Sequence, residues 1–122
     1  MLTALIDYES GNLHSALKAF EKISSENSLG SVTITNDPEI ISNADRLVLP
    51  GDGAFPACKA ALEKSEVFEA LKHAVLANRR PFLGICVGMQ LMAKKGFEFE
   101  PTNGLNWICL LYTSDAADEW LR

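Results

Sequence analysis

One stretch constrains this chain more than any other: Pro81-Phe82-Leu83-Gly84-Ile85-Cys86-Val87-Gly88-Met89-Gln90. An apolar run enters a glycine, and a cysteine and a second glycine follow, each one residue further on. A strand that turns sharply into a helix needs small residues on both sides of the turn, because a Cβ would clash there. The residue at the tip is then exposed beside the start of the helix. This is the geometry of a nucleophile elbow, written with cysteine instead of serine. A helix N-terminus favours the thiolate, which is the reactive form of cysteine. The N–H of the next residue, Val87, points the same way and can stabilise an oxyanion. Taken alone, G-x-C-x-G fits a cysteine buried in an apolar strand equally well.

An elbow of this kind implies a parallel sheet, and the rest of the chain supplies one. Leu2 to Ile6 is a short apolar run that reads as a buried strand, ended by Asp7 and the turn residues Tyr8-Glu9-Ser10-Gly11-Asn12. Leu13, Leu17, Phe20 and Ile23 recur at helical spacing, and Ser24 to Gly30 reads as a polar loop. Val32-Thr33-Ile34-Thr35 is β-branched throughout and reads as a second strand. Asn36 or Asp37 caps a short helix with Pro38 at its first position. Arg46-Leu47-Val48-Leu49 is a third strand, closed by Pro50-Gly51-Asp52-Gly53. Helical patterns follow around 57–62 and 67–76. Phe82 to Ile85 is a fourth strand, and Gly88 to Lys94 begins the helix behind Cys86. Strands alternating with helices at this spacing predict an α/β fold, a mostly parallel sheet flanked by helices in flavodoxin-like layers. Ligand sites in such sheets lie beyond the carboxyl ends of the strands. Three loops should meet there: the one after Asp7, the Gly51–Gly53 turn and the Cys86 elbow.

Composition narrows the functional classes. A net charge of −5, with no Lys/Arg stripe, argues against a nucleic-acid surface. The three cysteines, Cys58, Cys86 and Cys109, are odd in number and lack metal-ligand spacing, so no metal or disulfide framework is expected. No basic, apolar leader opens the chain, and no apolar run reaches the ~20 residues that span a bilayer. A cytoplasmic location is the expectation. Neither His14 nor His73 stands where a base for Cys86 would be expected. Cys58 reads as packing, and Trp107 as core or interface. Gln90, four residues past Cys86, returns to the same side of the helix and could hydrogen-bond a bound amide. From Cys109 onward the character changes. Cys109 to Glu119 resembles one reading frame of a transposon-end sequencing adapter, so residues 109–122 are expected to be a non-native tail. The native-looking part is then 1–108, and the protein itself would continue past Ile108.

These residues resemble a family. Pro81 to Gln90 is similar to the nucleophile motif of class I glutamine amidotransferases, and Leu49-Pro50-Gly51-Asp52-Gly53-Ala54-Phe55 to their oxyanion strand. Asp7-Tyr8-Glu9-Ser10-Gly11-Asn12-Leu13, Thr35-Asn36-Asp37-Pro38 and Gly104-Leu105-Asn106-Trp107-Ile108 narrow the likeness to the glutaminase subunits of imidazole glycerol phosphate synthases. The resemblance covers Met1 to Ile108.

It implies that Cys86 attacks the side-chain amide of glutamine, with no cofactor. Gly51, Asp52 and Val87 would form the oxyanion hole, and Gly53 and Gln90 would hold the glutamine. The ammonia would pass to a (βα)8-barrel synthase subunit, a heterodimer partner contacted near Asn12, which makes imidazole glycerol phosphate in histidine biosynthesis. Two positions depart from the family: Glu9 where glycine is usual, and Asp52 where many members have an apolar residue. The family's catalytic His and Glu follow the cysteine in chain order, and no such pair follows Cys86, so this chain alone is expected to be inactive. Alternatives remain another class I glutaminase, which the Asp7–Leu13 segment argues against, or a non-catalytic α/β binding domain.

Overall fold

A computed structural model describes residues 1–108 and the backbone at 111–112. Four strands, β1 (Leu2–Ile6), β2 (Ser31–Thr35), β3 (Arg46–Leu49) and β4 (Phe82–Gly84), form one parallel sheet in the order β2-β1-β3-β4. The α/β reading of the sequence therefore holds. The chain leaves β1 toward β2 on one side and then returns to β3 on the other. The switch point, where a doubly wound sheet opens its binding crevice, thus falls between the carboxyl ends of β1 and β3.

Strand register explains which side chains are buried. Pairing places Thr33, Ala4, Leu47 and Phe82 in one row and Ile34, Leu5, Val48 and Leu83 in the next. Adjacent rows face opposite sides of the sheet. The Ala4–Leu47 face packs against α2 (Pro38–Asn43), α3 (Phe55–Lys64) and α4 (Phe68–Lys72), through Ile41, Phe55, Leu62 and Leu71, all fully buried. α2 starts as expected, with Pro38 in its first turn and the Asp37 carboxylate accepting from the Glu39 N–H at 2.9 Å. α4 widens into a π turn over His73–Ala77, closed by the Asn78 N–H on the His73 carbonyl at 3.1 Å. Trp107 belongs to this layer: its ring meets Phe82 edge-on, with centroids 5.3 Å apart.

The opposite face is covered only in part. α1 (Leu13–Asn27) lies over it, and Ser24 is its sole buried residue. Ile23 is 52 % exposed and Leu83 50 % exposed, and they share an apolar groove of about 260 Å3 with Phe20, Val48 and Pro81. Exposed apolar surface beside an edge strand favours self-association. The chain is expected to associate with itself, and Leu83→Lys to weaken that association while changing stability by no more than about 0.5 kcal/mol, since Leu83 is half exposed. Sedimentation velocity and urea denaturation of both variants check this.

Two expectations are corrected. α1 does not stop before Ser24: it runs to Asn27 and ends on Ser28 in the left-handed conformation, with the Ser28 N–H on the Ser24 carbonyl. Polar composition there reflects a solvated helix end, not a loop. The helix behind Cys86 is shorter than the pattern suggested. α5 (Val87–Gln90) makes a single turn, and the chain then enters β5 (Lys95–Gly96), which pairs with β6 (Thr102–Asn103) and with the backbone of β7 (Leu111–Tyr112). Leu91 still packs in the core, so the apolar periodicity reported burial correctly and conformation incorrectly. Cys109 and most of the adapter-like segment lie outside the described residues.

Candidate active site

The three loops expected at the carboxyl edge do meet. Cys86 is exposed at the tip between β4 and α5, with φ 54° and ψ −123°. A non-glycine residue in that region is strained, and such strain concentrates at functional sites. The flanking glycines are demanded by contact. A Cβ on Gly84 would come within 2.7 Å of Met89 Cα, and one on Gly88 would overlap the Leu49 carbonyl oxygen. Behind the tip, the Cys86 carbonyl accepts from the Met89 and Gln90 N–H groups at 3.0 and 3.1 Å, which fixes the turn and places Gln90, half buried, one turn on.

The Pro50–Gly53 turn abuts this elbow backbone to backbone. A Cβ on Gly51 would lie 2.5 Å from the Gly88 nitrogen and 2.9 Å from Val87 Cβ. Gly53, at φ 100°, adopts a conformation that favours glycine, and a Cβ there would meet nothing within 4 Å. The two N–H groups that the resemblance assigns to an oxyanion hole differ in state. Among the described residues the Val87 N–H has no acceptor, whereas the Asp52 N–H donates to Ser10 Oγ at 3.0 Å.

The loop after β1 holds the turn from the other side. The Tyr8 hydroxyl donates to the Pro50 carbonyl at 2.5 Å, and Ser10 Oγ donates to the Asp52 carbonyl at 3.0 Å. Cys58, buried on α3, contributes its thiol, which donates to the same carbonyl at 3.2 Å and lies 3.2 Å from Ser10 Oγ. Sequence reasoning assigned Cys58 to packing and gave Tyr8 and Ser10 no role. Their positions one and three residues after the Asp7-ended strand run were the available signal. Glu9 takes a left-handed φ of 68° with its N–H on Asp7 Oδ1 at 3.2 Å, so this position keeps the conformation for which glycine is suited. Asn12 caps α1, its Oδ1 accepting from the Ser15 N–H at 3.2 Å, and is exposed.

Burial pushes the Tyr8 phenol well above its ordinary range; the neighbouring Ser10 hydroxyl opposes the shift and the Cys58 thiol adds to it. The folded chain thus keeps Tyr8 protonated at pH values where the unfolded chain ionises it. That contribution is fully present below about pH 10, the usual tyrosine value, and is lost as pH rises above it. Tyr8→Phe is expected to cost about 1–2 kcal/mol at neutral pH, because the Pro50 carbonyl loses its donor. The difference from wild type should shrink above about pH 10. Urea denaturation at several pH values measures both.

No histidine accompanies the thiol. His14 on α1 and His73 in the π turn are both exposed, on elements that do not flank Cys86. Among the described residues no group of His, Cys, Asp and Glu is arranged to hold a metal ion, and no helix is long and apolar enough to cross a membrane.

A parallel α/β sheet with a strained cysteine elbow against a glycine turn is an arrangement that can present a cysteine nucleophile. The profile described as "Glutamine amidotransferase class-I" matches residues 4–98, and the chain belongs to that family. At finer resolution, it is 59 % identical over 109 residues to "Imidazole glycerol phosphate synthase subunit HisH" of Ruegeria pomeroyi, covering 88 % of this chain and 51 % of that protein. The same-named subunit of Cereibacter sphaeroides is 55 % identical over 109 residues, with coverage of 88 % and 51 %. That of Caulobacter vibrioides is 50 % identical over 106 residues, with coverage of 86 % and 50 %. The chain spans about half the length of these relatives.

Proposed function

We propose that this chain carries the nucleophile of a glutaminase subunit of an imidazole glycerol phosphate synthase, acting in histidine biosynthesis. The observation that carries the reading is Cys86 itself: an exposed thiol held in a strained backbone conformation, on an elbow packed against the Pro50–Gly53 turn. Relatives of that name, at 50–59 % identity, support the choice within the family.

The chemistry follows from the groups present. The Cys86 thiolate attacks Cδ of glutamine, and the C=O π electrons move to oxygen. Val87 N–H, which has no acceptor among the described residues, would receive that charge, and Asp52 N–H would do so once released from Ser10. Collapse expels the amide nitrogen, which takes a proton and leaves as ammonia, giving a γ-glutamyl thioester. Water then attacks the thioester carbonyl, releasing glutamate and the free thiol. A base must remove the thiol proton and return it to the leaving nitrogen. His14 and His73 are not placed for this, so we infer that the base comes from polypeptide outside these 122 residues. Gly53 in the glycine turn and Gln90 one turn past Cys86 would hold glutamine. The ammonia would pass to a barrel-shaped synthase subunit docked over the carboxyl edge, where Asn12 is exposed. The protein would work in the cytoplasm as one half of that heterodimer, with no cofactor.

The test is covalent labelling of the complete subunit by an electrophilic glutamine analogue, followed by peptide mapping. Label on Cys86 and competition by glutamine support the reading. An unlabelled Cys86 in a folded subunit overturns it.

A further inference from the structure

Asn103 and Gly104 are the chain's single Asn–Gly step. A glycine after asparagine carries no Cβ to shield its amide nitrogen, so that nitrogen can reach the side-chain carbonyl carbon behind it. The structure leaves this asparagine open to the reaction. Asn103 is exposed, and among the described residues its carboxamide has no hydrogen-bond partner. The carboxamides of Asn12, Asn27 and Asn43, by contrast, are each bonded to the backbone of their own helix. One bond stands in the way: the Gly104 N–H donates to the Lys94 carbonyl at 3.0 Å. It follows a strand, β6, that has two residues and is held to β5 by two residue pairs. Strands this short open locally at little cost.

What comes after Gly104 is held far more closely. Residues 105–108 donate four backbone hydrogen bonds to residues 91–93, from the Leu105 N–H on the Leu91 carbonyl at 2.7 Å to the Ile108 N–H on the Met92 carbonyl at 3.0 Å. A Cβ on Gly104 would overlap the Ala93 carbonyl oxygen. This strap therefore fits the segment behind the Cys86 elbow without slack.

We propose that Asn103 is a site of spontaneous deamidation, and that its isoaspartyl product loosens the strap 104–108. The Gly104 nitrogen bonds to Asn103 Cγ and gives up its proton; the Cγ–Nδ2 bond breaks and ammonia leaves. Water then opens the succinimide at either carbonyl. Opening at the α-carbonyl, which the amide nitrogen on Cα activates, predominates and gives isoaspartate; opening at the other gives aspartate. Isoaspartate adds one methylene to the main chain between residues 103 and 104 and leaves a carboxylate beside it. The added length falls directly before the strap, whose fit has no place for it. The glutaminase reading is not needed for any of these steps.

The experiment ages the complete subunit at growth temperature and mildly alkaline pH. Mapping of the tryptic peptide that begins at Gly96, with isoaspartyl methyltransferase labelling, reads the conversion, and thermal melts read the strap. Isoaspartate is expected to accumulate at position 103 in wild type and to be absent from Asn103→Gln, whose longer side chain would have to close a six-membered ring. Converted protein, separated on an ion exchanger by its added negative charge, should melt about 4 °C below fresh protein, the effect of losing one or so of the strap's hydrogen bonds. Asn103→Asp adds the charge without the methylene and should melt with fresh wild type, because the side chain is exposed. An Asn103 that stays intact over a period in which guanidinium-unfolded subunit converts fully overturns the proposal. So does converted protein that melts like fresh protein, or Asn103→Asp that melts like converted protein.

Discussion

Cys86→Ala in the complete subunit is expected to lower glutamine turnover by at least about a thousandfold, with little effect on folding. Loss of a covalent nucleophile removes the acyl-enzyme route altogether, and such losses in acyl transfer reach about a millionfold. The folding side is also argued from contact. Cys86 is exposed and its side chain makes no hydrogen bond at the helix start, so alanine removes no packing. Alanine also keeps the strained φ of 54° no worse than cysteine does, since both carry a Cβ. Steady-state glutamate release and urea denaturation, measured on the same preparations, separate chemistry from fold. The 122-residue chain is expected to show no turnover above that of its own Cys86→Ala variant, because His14 and His73 are both exposed on elements away from the elbow. Turnover by this chain that vanished in the variant would mean that a base acts here which the geometry does not reveal.

The parts of this arrangement that could be read from the sequence share a physical character. β1 and β3 were legible to the residue because buried parallel strands are short, continuous apolar runs ended by Asp7 and by Pro50. The elbow was legible because close backbone approach allows only glycine, and Gly84 and Gly88 mark both sides of Cys86. The extent of α5 was not legible. Met89, Leu91 and Met92 continue a helical pattern, yet Gly104 to Trp107 return to bond the backbone of residues 91–94, as in the Leu105 N–H on the Leu91 carbonyl at 2.7 Å. That tertiary pairing overrides local periodicity, and nothing near Leu91 announces it. The hydrogen bonds of Ser10 with Asp52 were hidden for a related reason. They join residues 42 positions apart, and a serine in a turn has many partners available. Only the sheet order, which sets the β1 and β3 loops side by side, selects this one.

Gly88→Ala is expected to be among the most damaging single substitutions in the described residues, costing at least about 3 kcal/mol. Its new Cβ would overlap the Leu49 carbonyl oxygen and lie 3.1 Å from the Pro50 carbonyl carbon. Both are backbone, and both belong to the core strand β3 and the turn it feeds, so no side chain can swing aside. Relief requires α5 to move away from the sheet, which separates Val87 from the Pro50–Gly53 turn and opens the packing of Leu91 beneath. Overpacking of flexible cores costs about 1–3 kcal/mol, and a rigid backbone obstacle belongs at or beyond the top of that range. Gly53→Ala is the matched control: its Cβ would meet nothing within 4 Å, so the cost is backbone strain at φ 100° alone, about 1–2 kcal/mol. Urea denaturation of both variants in the complete subunit gives the comparison. If Gly88→Ala cost no more than Gly53→Ala, the elbow and the turn would not be in backbone contact, and the shared site built from Cys86, Val87 and Gly51 would lose its geometric basis.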